Sequence, residues 1–253
     1  MCVGGRYHRD VHSASRLCVW VSEWHIARGG IQLGEVLGRG GFGAVRKATW
    51  AGCEVAVKEV KHEAGRECKE AEDLLDEEAR LLVSLRHRHV VGVYGFCLPP
   101  HTAIVMEHVG GGSLSEWIRR RCEFVRQASV PHGTVLGILR DTVKVLAGVC
   151  SGMAYIHSQG WVHCDLKPAN VLVQHVDREV VAKVADMGLA VPIDAGTASA
   201  EYQGGTPGYV APEAASGGGG ARVGRPFDVW SFGMIAATVT CMGRATPDVP
   251  GHV

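Results

Sequence analysis

The sequence lacks several features that would place it in a specialised class of protein. Its 253 residues carry 26 basic and 26 acidic side chains, so it has no formal net charge and no long-range attraction to nucleic acid or to an anionic membrane. No apolar run approaches the roughly 18 residues of a membrane helix, and residues 1–16 have no apolar core of the kind found in a secretion signal. We therefore expect no nucleic-acid partner, no membrane span and a cytoplasmic location.

The cysteines lack the spacing of a structural framework. There are nine of them, an odd number, without a CxxC pair and without a His/Cys cluster at the spacing of metal ligands. Scattered cysteines favour reduced thiols in a cytosolic setting over a disulfide framework or a zinc site. With 46% hydrophobic residues, the chain can bury one large core or two small ones, and we expect a globular protein.

The periodicity of the apolar residues divides the chain into a part rich in strands and a part rich in helices. Residues 1–29 form an N-terminal extension, in which "LCVWVSEW" predicts a strand or a docking edge. Residues 30–109 contain alternating runs that predict three antiparallel strands before residue 61, one main helix and two further strands. Residues 110–253 begin with a glycine triplet and carry three helical patterns. These patterns predict an α+β fold with a small antiparallel sheet and a mostly helical second part.

Two segments are defined more closely by their composition. The main helix of the first part is predicted over residues 71–88, because its leucines recur at helical spacing and its acidic residues fall on the other face. Residues 215–224, "ASGGGGARVG", predict a flexible loop before the last helix.

A glycine-rich hairpin and a lysine in an apolar strand point to a phosphate-binding site. In "GRGGFG", residues 38–43, the glycines lie between two alternating runs, so they bend two strands and let backbone N–H groups approach phosphates. Lys58 ends the apolar strand "VAVK", where a buried ammonium needs a partner that Glu78 can supply. The alternatives are an ordinary glycine turn and two solvated surface charges.

Eight motifs in order resemble the catalytic domain of eukaryotic protein kinases. They are "GRGGFG", "VAVK", Glu78 before "LRHRHVV", "IVMEHV", "HCDLKPAN", "DMG", "GTPGYVAPE" and "DVWSFG", and they cover about Ile31 to Met242. The sequence around the first two motifs and around "GTPGYVAPE" is most similar to the tyrosine-kinase-like group of serine/threonine kinases. The resemblance implies a two-lobed protein kinase fold, with ATP and Mg²⁺ as cofactors. It also implies transfer of the γ-phosphoryl group of ATP to a serine or threonine of a protein substrate.

The resemblance implies roles for individual polar residues. Phosphoryl transfer depends on positioning and on charge stabilisation around ATP and magnesium, so glycines, cations, one base and oxygen ligands are required. By this resemblance, the phosphates would be covered by Gly38, Gly40 and Gly43, and Lys58, itself held by Glu78, would bind the α- and β-phosphates. The base would be Asp165, the cation beside the γ-phosphate Lys167, and the magnesium ligands Asn170 and Asp186.

Two further side chains are expected to support this loop. Thr206 would hydrogen-bond Asp165 and Lys167, and the pair of Lys167 and Thr206 resembles serine/threonine kinases more than tyrosine kinases. Asp228 would tether the backbone of the catalytic loop from the "DVWSFG" helix.

The apolar residues near these motifs resemble the adenine pocket and the column that links the two lobes. For each of them the alternative is ordinary core packing. They are Leu37, Val45, Ala56 and Leu172 around the adenine ring, Met106 as the gatekeeper, Glu107 to Val109 as hinge backbone, and Leu82, Val93, His163 and Met187 in the column.

Two departures from the family pattern bear on function. Cys164 stands where many kinases have an arginine that pairs with a phosphorylated activation loop, and a thiol cannot make that pair. We expect Cys164 to be a small buried hydrophobe. We also expect switching of the activity to be independent of such a phosphate. If removing phosphate abolishes activity and restoring it on the activation loop recovers activity, this expectation is wrong.

The second departure is at the C-terminus, where kinases continue through several more helices. One of those helices supplies an arginine that pairs with the acid of "APE", here Glu213. We therefore expect Glu213 to be a partly buried acid without its partner, and the "DVWSFG" helix to have an uncovered apolar face. A catalytically impaired nucleotide-binding or scaffold module remains the alternative function, and the sequence does not predict the oligomeric state.

Overall fold

A computed structural model gives the fold of the chain. It describes residues 24–40, 43–60, 83–98, 101–127, 132–193, 200–202, 204–215 and 221–241. Most of the helix predicted over residues 71–88, together with Glu78 and Leu82, lies outside the described residues.

The first part of the chain forms a five-stranded antiparallel sheet, as its alternation predicts. Neighbouring residues face opposite sides of a strand, so Ile104 packs into the large core of the molecule and Val105 into a smaller one. Both side chains are fully buried. The strands, in the spatial order β1-β2-β3-β5-β4, are β1 (Ile31–Gly40), β2 (Gly43–Trp50), β3 (Cys53–Val60), β4 (Val93–Cys97) and β5 (Ala103–Glu107).

The end of the N-terminal extension lies against the free edge of β4. His25 pairs in parallel with Phe96, and the backbone N–H of Ile26 donates to the Phe96 carbonyl at 2.9 Å. Of the docking edge predicted for "LCVWVSEW", only Trp24 is among the described residues, so that prediction stays a prediction.

The second part is mostly helical, with helices where the periodicity predicts them. Ser113 and Glu116 form a capping box at the start of the first helix: the Glu116 N–H donates to Ser113 Oγ at 3.3 Å, and the Ser113 N–H donates to Glu116 Oε2 at 2.9 Å. The helices are α1 (Leu114–Gln127), α2 (His132–Ser158), the short α3 (Pro212–Ala215) and α4 (Arg225–Thr240). Among the described residues, no helix is both long and apolar enough to cross a bilayer.

In the described parts of the chain, six short strands accompany these helices. Asp177 and Arg178, with φ of 48° and 67°, form a tight two-residue turn between two of them. The strands are β6 (Trp161–Val162), β7 (Val171–Val176), β8 (Glu179–Val184), β9 (Val191–Pro192), β10 (Ala200–Glu201) and β11 (Arg222–Val223).

One of these strands corrects a prediction. β11 pairs antiparallel with β10, so residues 222–223 of the predicted flexible loop are held in a ladder. The prediction was wrong there because the pairing partner lies about twenty residues earlier and leaves no local pattern. Residues 216–220 of that loop lie outside the described residues.

The two parts form one two-lobed structure joined by backbone hydrogen bonds. The Val91 N–H donates to the Val184 carbonyl at 2.9 Å, and the Val184 N–H donates to the His89 carbonyl at 2.8 Å. Within the second part, the Val173 N–H donates to the Gly112 carbonyl at 2.8 Å, which holds β7 against the turn after the hinge. These contacts fix β7 and β8 beneath the sheet, where the predicted polar residues converge.

Candidate active site

The carboxylate of Asp165 is the centre of a hydrogen-bonded cluster. It accepts from the Lys167 ammonium at 2.7 Å, from the Thr206 hydroxyl at 2.6 Å and from the Asn170 amide at 2.9 Å. Lys167 also donates to the Thr206 hydroxyl, so the predicted contacts of Thr206 are both present. With three donors and a side chain only 11% exposed, the carboxylate is held in one orientation.

A buried acid holds the backbone just before this cluster. Asp228, on α4, is 1% exposed and accepts the N–H groups of His163 at 2.8 Å and of Cys164 at 3.0 Å. A nitrogen of His157 lies 2.8 Å from the same carboxylate. Cys164 has a positive φ of 64°, a backbone conformation that residues other than glycine rarely adopt. The hydrogen bonds from Asp228 stabilise it. The predicted tether is therefore present.

Lys58 connects the sheet to the segment after β8. Its ammonium lies 2.9 Å from Asp186 Oδ1. Burial raises the pKa of Asp186, but the charge and the hydrogen bond of Lys58 lower it by more than burial raises it. The pKa of this carboxyl therefore lies below its ordinary value. Asp186 is therefore ionised at neutral pH. The predicted partner of Lys58, Glu78, lies outside the described residues.

The ends of β7 and β8 place Asn170 beside the segment that carries Asp186. Val171 pairs with Val184, and the Ala185 N–H donates to the Asn170 carbonyl at 2.9 Å. The Asn170 amide nitrogen is used by Asp165, which leaves its amide oxygen as the atom available to a cation. An ionised carboxylate and an amide oxygen are hard ligands, so these two residues fit magnesium.

The glycine-rich hairpin lies beside the strand that carries Lys58. Gly40 pairs with Gly43 across β1 and β2, and Gly38 pairs with Val45. A Cβ added at Gly38 would meet no atom within 4 Å, so the backbone there faces open space. Val45 in turn pairs with Lys58 on β3, which places the hairpin next to the ammonium group. Residues 41–42, at the tip, lie outside the described residues.

The predicted adenine residues occupy neighbouring positions of the sheet and of β7. Ala56 pairs with Met106 on β5, and Leu172 pairs with Ser113 after the hinge. Ala56 and Val109 are each 6% exposed, whereas Leu37 is 47% exposed. The structure thus brings Val45, Ala56 and Met106 together on adjacent strands and leaves the Leu37 side chain at the surface.

An ion pair at the hinge was not predicted from the sequence. Lys183, on β8, reaches Glu107 Oε2 at 2.8 Å, and the same oxygen accepts the Gly92 N–H at 3.2 Å. The two side chains are only 11% and 23% exposed. The sequence contained a signal, because Lys183 lies inside the apolar run "VVAKV" just as Lys58 lies in "VAVK".

The column residues that the structure describes are buried where the prediction places them. Val93 and His163 are 0% exposed and Met187 is 2% exposed. The His163 ring accepts the Asp165 N–H at Nδ1, at 3.3 Å, and its Nε2 lies 3.1 Å from the Ala185 carbonyl. These partners assign the proton to Nε2 and join the catalytic loop to the residue before Asp186.

The structure supports the expectation for Cys164 and corrects the one for Glu213. Cys164 is 1% exposed, and burial, followed by the nearby charge of Asp228, raises the pKa of its thiol, so it is the inert buried hydrophobe that was predicted. Glu213 is exposed, so the prediction of a partly buried acid was wrong: its position in α3 faces solvent. On α4, Val229 and Trp230 are 63% and 43% exposed, which agrees with an uncovered apolar face.

Comparison with known proteins adds a family and named relatives. Residues 31–248 match the family described as protein kinase domain. The chain is 35% identical over 215 residues to mouse megakaryocyte-associated tyrosine-protein kinase, covering 85% of this chain and 37% of the relative. It is 34% identical over 221 residues to the rat protein of that name, covering 85% and 41%. It is 33% identical over 214 residues to human mitogen-activated protein kinase kinase kinase 10, covering 81% and 20%. The chain therefore spans between a fifth and about two fifths of these relatives.

Proposed function

Because the chain belongs to the protein kinase family, we propose that it transfers the γ-phosphoryl group of Mg-ATP to serine or threonine hydroxyls of proteins. The observation that carries this proposal is the cluster around Asp165. A carboxylate, the Lys167 ammonium and the Thr206 hydroxyl lie within hydrogen-bond distance of one another. They adjoin the oxygen ligands at Asn170 and Asp186.

The residues of the cluster would act mainly by position and charge. Asp165 would accept the hydrogen bond of the substrate hydroxyl and aim its oxygen at the γ-phosphorus, while Lys167 would stabilise the charge that develops on the transferred group. When bound at Asn170 and Asp186, magnesium supplies neutralisation of the phosphate charge.

The nucleotide would lie between the glycine hairpin and β7. Lys58 would bind the α- and β-phosphates, and its 2.9 Å contact with Asp186 supports a position at the centre of the cleft. Gly38, Gly40 and Gly43 would cover the phosphates. The adenine ring would lie between Ala56 and Leu172, with hinge backbone from Glu107 to Val109 at its edge.

The choice of serine or threonine over tyrosine rests on the pairing of Lys167 with Thr206. That pair resembles serine/threonine kinases, whereas two of the relatives are named tyrosine-protein kinases. Peptides that differ only in serine, threonine or tyrosine at the acceptor position test this choice. Preferential transfer to tyrosine would contradict it.

We also propose a division of the chain that follows the described elements. Residues 1–29 would be an N-terminal extension, residues 30–109 the sheet lobe and residues 110–253 the helical lobe. The boundary falls between the end of β5 at Glu107 and the start of α1 at Leu114. Together with the reduced thiols expected from the sequence, this function is consistent with a cytoplasmic protein.

Two substitutions in the cluster test the proposed function. We expect Asp165→Asn to lower kcat by about 10²- to 10⁴-fold while Mg-ATP affinity stays within about twofold, because the carboxylate acts on the substrate hydroxyl. Lys58→Met should remove transfer as well, because it deletes the phosphate-binding cation. Transfer of radiolabelled phosphate and calorimetric titration of Mg-ATP measure the two effects.

The control is Lys144→Met, which removes an ammonium that pairs with Glu179 outside the cluster. Transfer by this variant should equal that of the unmodified chain. Transfer that survives both Asp165→Asn and Lys58→Met would reject the assigned roles. Nucleotide binding without any transfer by the unmodified chain would favour the non-catalytic scaffold.

A further inference from the structure

A cavity of about 320 Å³ lies behind the hinge, outside the proposed nucleotide site. Adjacent residues of a strand face opposite sides, so the Leu172 side chain faces the proposed adenine position and the Val173 side chain faces away from it. The cavity is on the Val173 side. Its lining comes from the turn after the hinge, from α1 and from β7, namely Gly111, Trp117, Arg120, Arg121, Val173 and His175.

The floor of the cavity is apolar and buried. Trp117 is 5% exposed and Val173 is 1% exposed, and both belong to the large core. The turn at Gly111 is pressed against β7, since a Cβ added at Gly111 would lie 1.8 Å from the Val173 carbonyl oxygen. A volume of this size is at the lower end of the range for ligand sites, about 300–1,000 Å³.

The two guanidinium groups at the cavity differ in their partners. Arg121 stacks over Trp117 at 3.9 Å and forms an ion pair of 2.7 Å with Asp141, so its charge is compensated and its position is fixed. Arg120 donates to the Gly111 carbonyl. Within the described residues, Arg120 has no carboxylate within 4 Å, and the nearby Glu116 accepts the N–H and hydroxyl of Ser113 instead.

We propose that this cavity binds an acidic and apolar peptide segment of a protein partner, with one carboxylate on Arg120 and an apolar side chain on Trp117 and Val173. Arginine presents donors in a fork that matches a carboxylate, and the bond to Gly111 orients that fork at the mouth of the cavity. His175 lies on the same face of β7 as Val173 and adds a further donor at the rim.

The charge at the site favours this ligand over its opposite. Arg121 is neutralised by Asp141, whereas Arg120 forms no ion pair within 4 Å among the described residues and its neighbour Glu116 is bonded to Ser113. The Arg120 guanidinium is therefore the group that suits a single carboxylate and opposes a lysine-rich segment. Use of the cavity to dock a protein substrate rests on the proposed function. Binding of the peptide does not, because no group of the Asp165 cluster takes part.

The test uses a fluorescein-labelled six-residue peptide of alternating glutamate and leucine, with the full chain saturated with Mg-ADP. We expect saturable fluorescence anisotropy for this peptide and none for the lysine/leucine peptide of equal length. Arg120→Gln should raise Kd at least about tenfold, because a charge-assisted pair becomes neutral. The matched control is Arg119→Gln: Arg119 does not line the cavity and pairs with Glu123 at 3.1 Å.

A second variant keeps the test decisive if Arg120→Gln binds the peptide weakly for another reason. Arg120→Glu should lose the glutamate/leucine peptide and gain the lysine/leucine peptide, and circular dichroism should show that it is folded. Equal loss in the Arg119 and Arg120 variants, equal binding of both peptides or no saturable binding would overturn the proposal. Because the readout is binding, loss of phosphotransfer in the unmodified chain would leave this result unaffected.

Discussion

Lys58 and Lys183 show how single cations tie distant parts of this chain together. Each follows apolar residues of a strand and each reaches a carboxylate far away in sequence, Asp186 for Lys58 and Glu107 for Lys183. A mostly buried ammonium is unfavourable unless it is paired, so these carboxylates stabilise the two lysines in their strands. Both pairs connect one lobe to the other.

The pair of Lys183 and Glu107 gives a prediction for stability. Lys183→Met leaves the Glu107 carboxylate with little solvent and, among the described residues, only the Gly92 N–H as a donor, so we expect a loss of about 3 kcal/mol in the free energy of unfolding. The double variant Lys183→Met/Glu107→Gln should recover part of that loss, since no unpaired charge remains. Urea unfolding of both single variants and the double variant measures the coupling, and strictly additive effects would contradict a direct interaction.

Cys164 gives a prediction for thiol reactivity. Burial raises the pKa of its thiol, so it stays protonated in the folded chain, whereas the side chains of Cys53, Cys150 and Cys241 are exposed to reagent. Brief alkylation with iodoacetamide, read by peptide mass spectrometry, should label those three and leave Cys164 unmodified. Labelling of Cys164 at a comparable rate in the folded chain would contradict its burial. Labelling that requires unfolding would agree with it.

At the scale of elements, α2 is shaped to receive the segment before β4. A Cβ added at Gly152 would lie 2.4 Å from the His89 carbonyl oxygen, and one at Gly148 would lie 2.9 Å from the His89 ring. The same ring hydrogen-bonds the Ala182 carbonyl on β8 at 2.8 Å. His89 therefore lies between α2 and β8, and the two glycines provide the space.

A matched pair of glycines in α2 tests this packing. Gly152→Ala should lower the free energy of unfolding by about 1–3 kcal/mol, because its methyl group meets a backbone carbonyl that cannot move aside easily. Gly137→Ala, where a Cβ would meet nothing within 4 Å, should raise it by about 0.5–1 kcal/mol through helix propensity. Equilibrium urea unfolding distinguishes opposite signs, and a stabilised Gly152→Ala would refute the close approach.

The sequence predicts elements well where their periodicity is long and local. The alternation from Ile31 to Val60 gives three strands, and α2 follows a pattern of about seven turns. β7 and β8 were not predicted, because their six residues each are nearly all apolar at the buried positions and carry no clear alternation. The pairing of β10 with β11 was also missed, since two-residue strands have no period.

The candidate site shows the same division between local and distant information. Asp165, Lys167 and Asn170 lie in one short segment, and motif spacing alone places them together. The contact of Lys183 with Glu107 spans 76 positions and depends on how the hinge lies against β8, which no local pattern contains. The exposure of Glu213 likewise depends on the final orientation of α3.

At the scale of the whole molecule, backbone pairing joins the lobes where the segment before β4 meets β8. Val184 exchanges hydrogen bonds with Val91 and His89, and within the helical lobe Val173 bonds to Gly112 just after the hinge. The groups proposed to act on ATP thus lie on two bodies joined by main-chain contacts, so their geometry depends on the sheet and the helices together. A substitution at either junction acts on the cleft without touching it.

The surface of the helical part gives the last prediction. Leu136, Leu139 and Val143 follow each other at spacings of three and four along α2 and are 59%, 52% and 65% exposed, so they form one apolar stripe on that helix. Replacing Leu139 and Val143 by lysine should reduce the fluorescence of the bound dye ANS, which reports exposed apolar surface. Because exposed positions contribute little to folding, the free energy of unfolding should change by no more than about 0.5 kcal/mol per substitution.

Ala147→Lys is the control for introducing a lysine, because it adds one at an exposed position of α2 without removing a large apolar side chain. Its dye fluorescence should stay close to that of the unmodified chain. If the Leu139/Val143 double variant instead loses several kcal/mol of stability, these side chains are covered in solution. In that case another surface, from this polypeptide or a second molecule, packs on the stripe, because only burial makes the loss of two aliphatic side chains so costly.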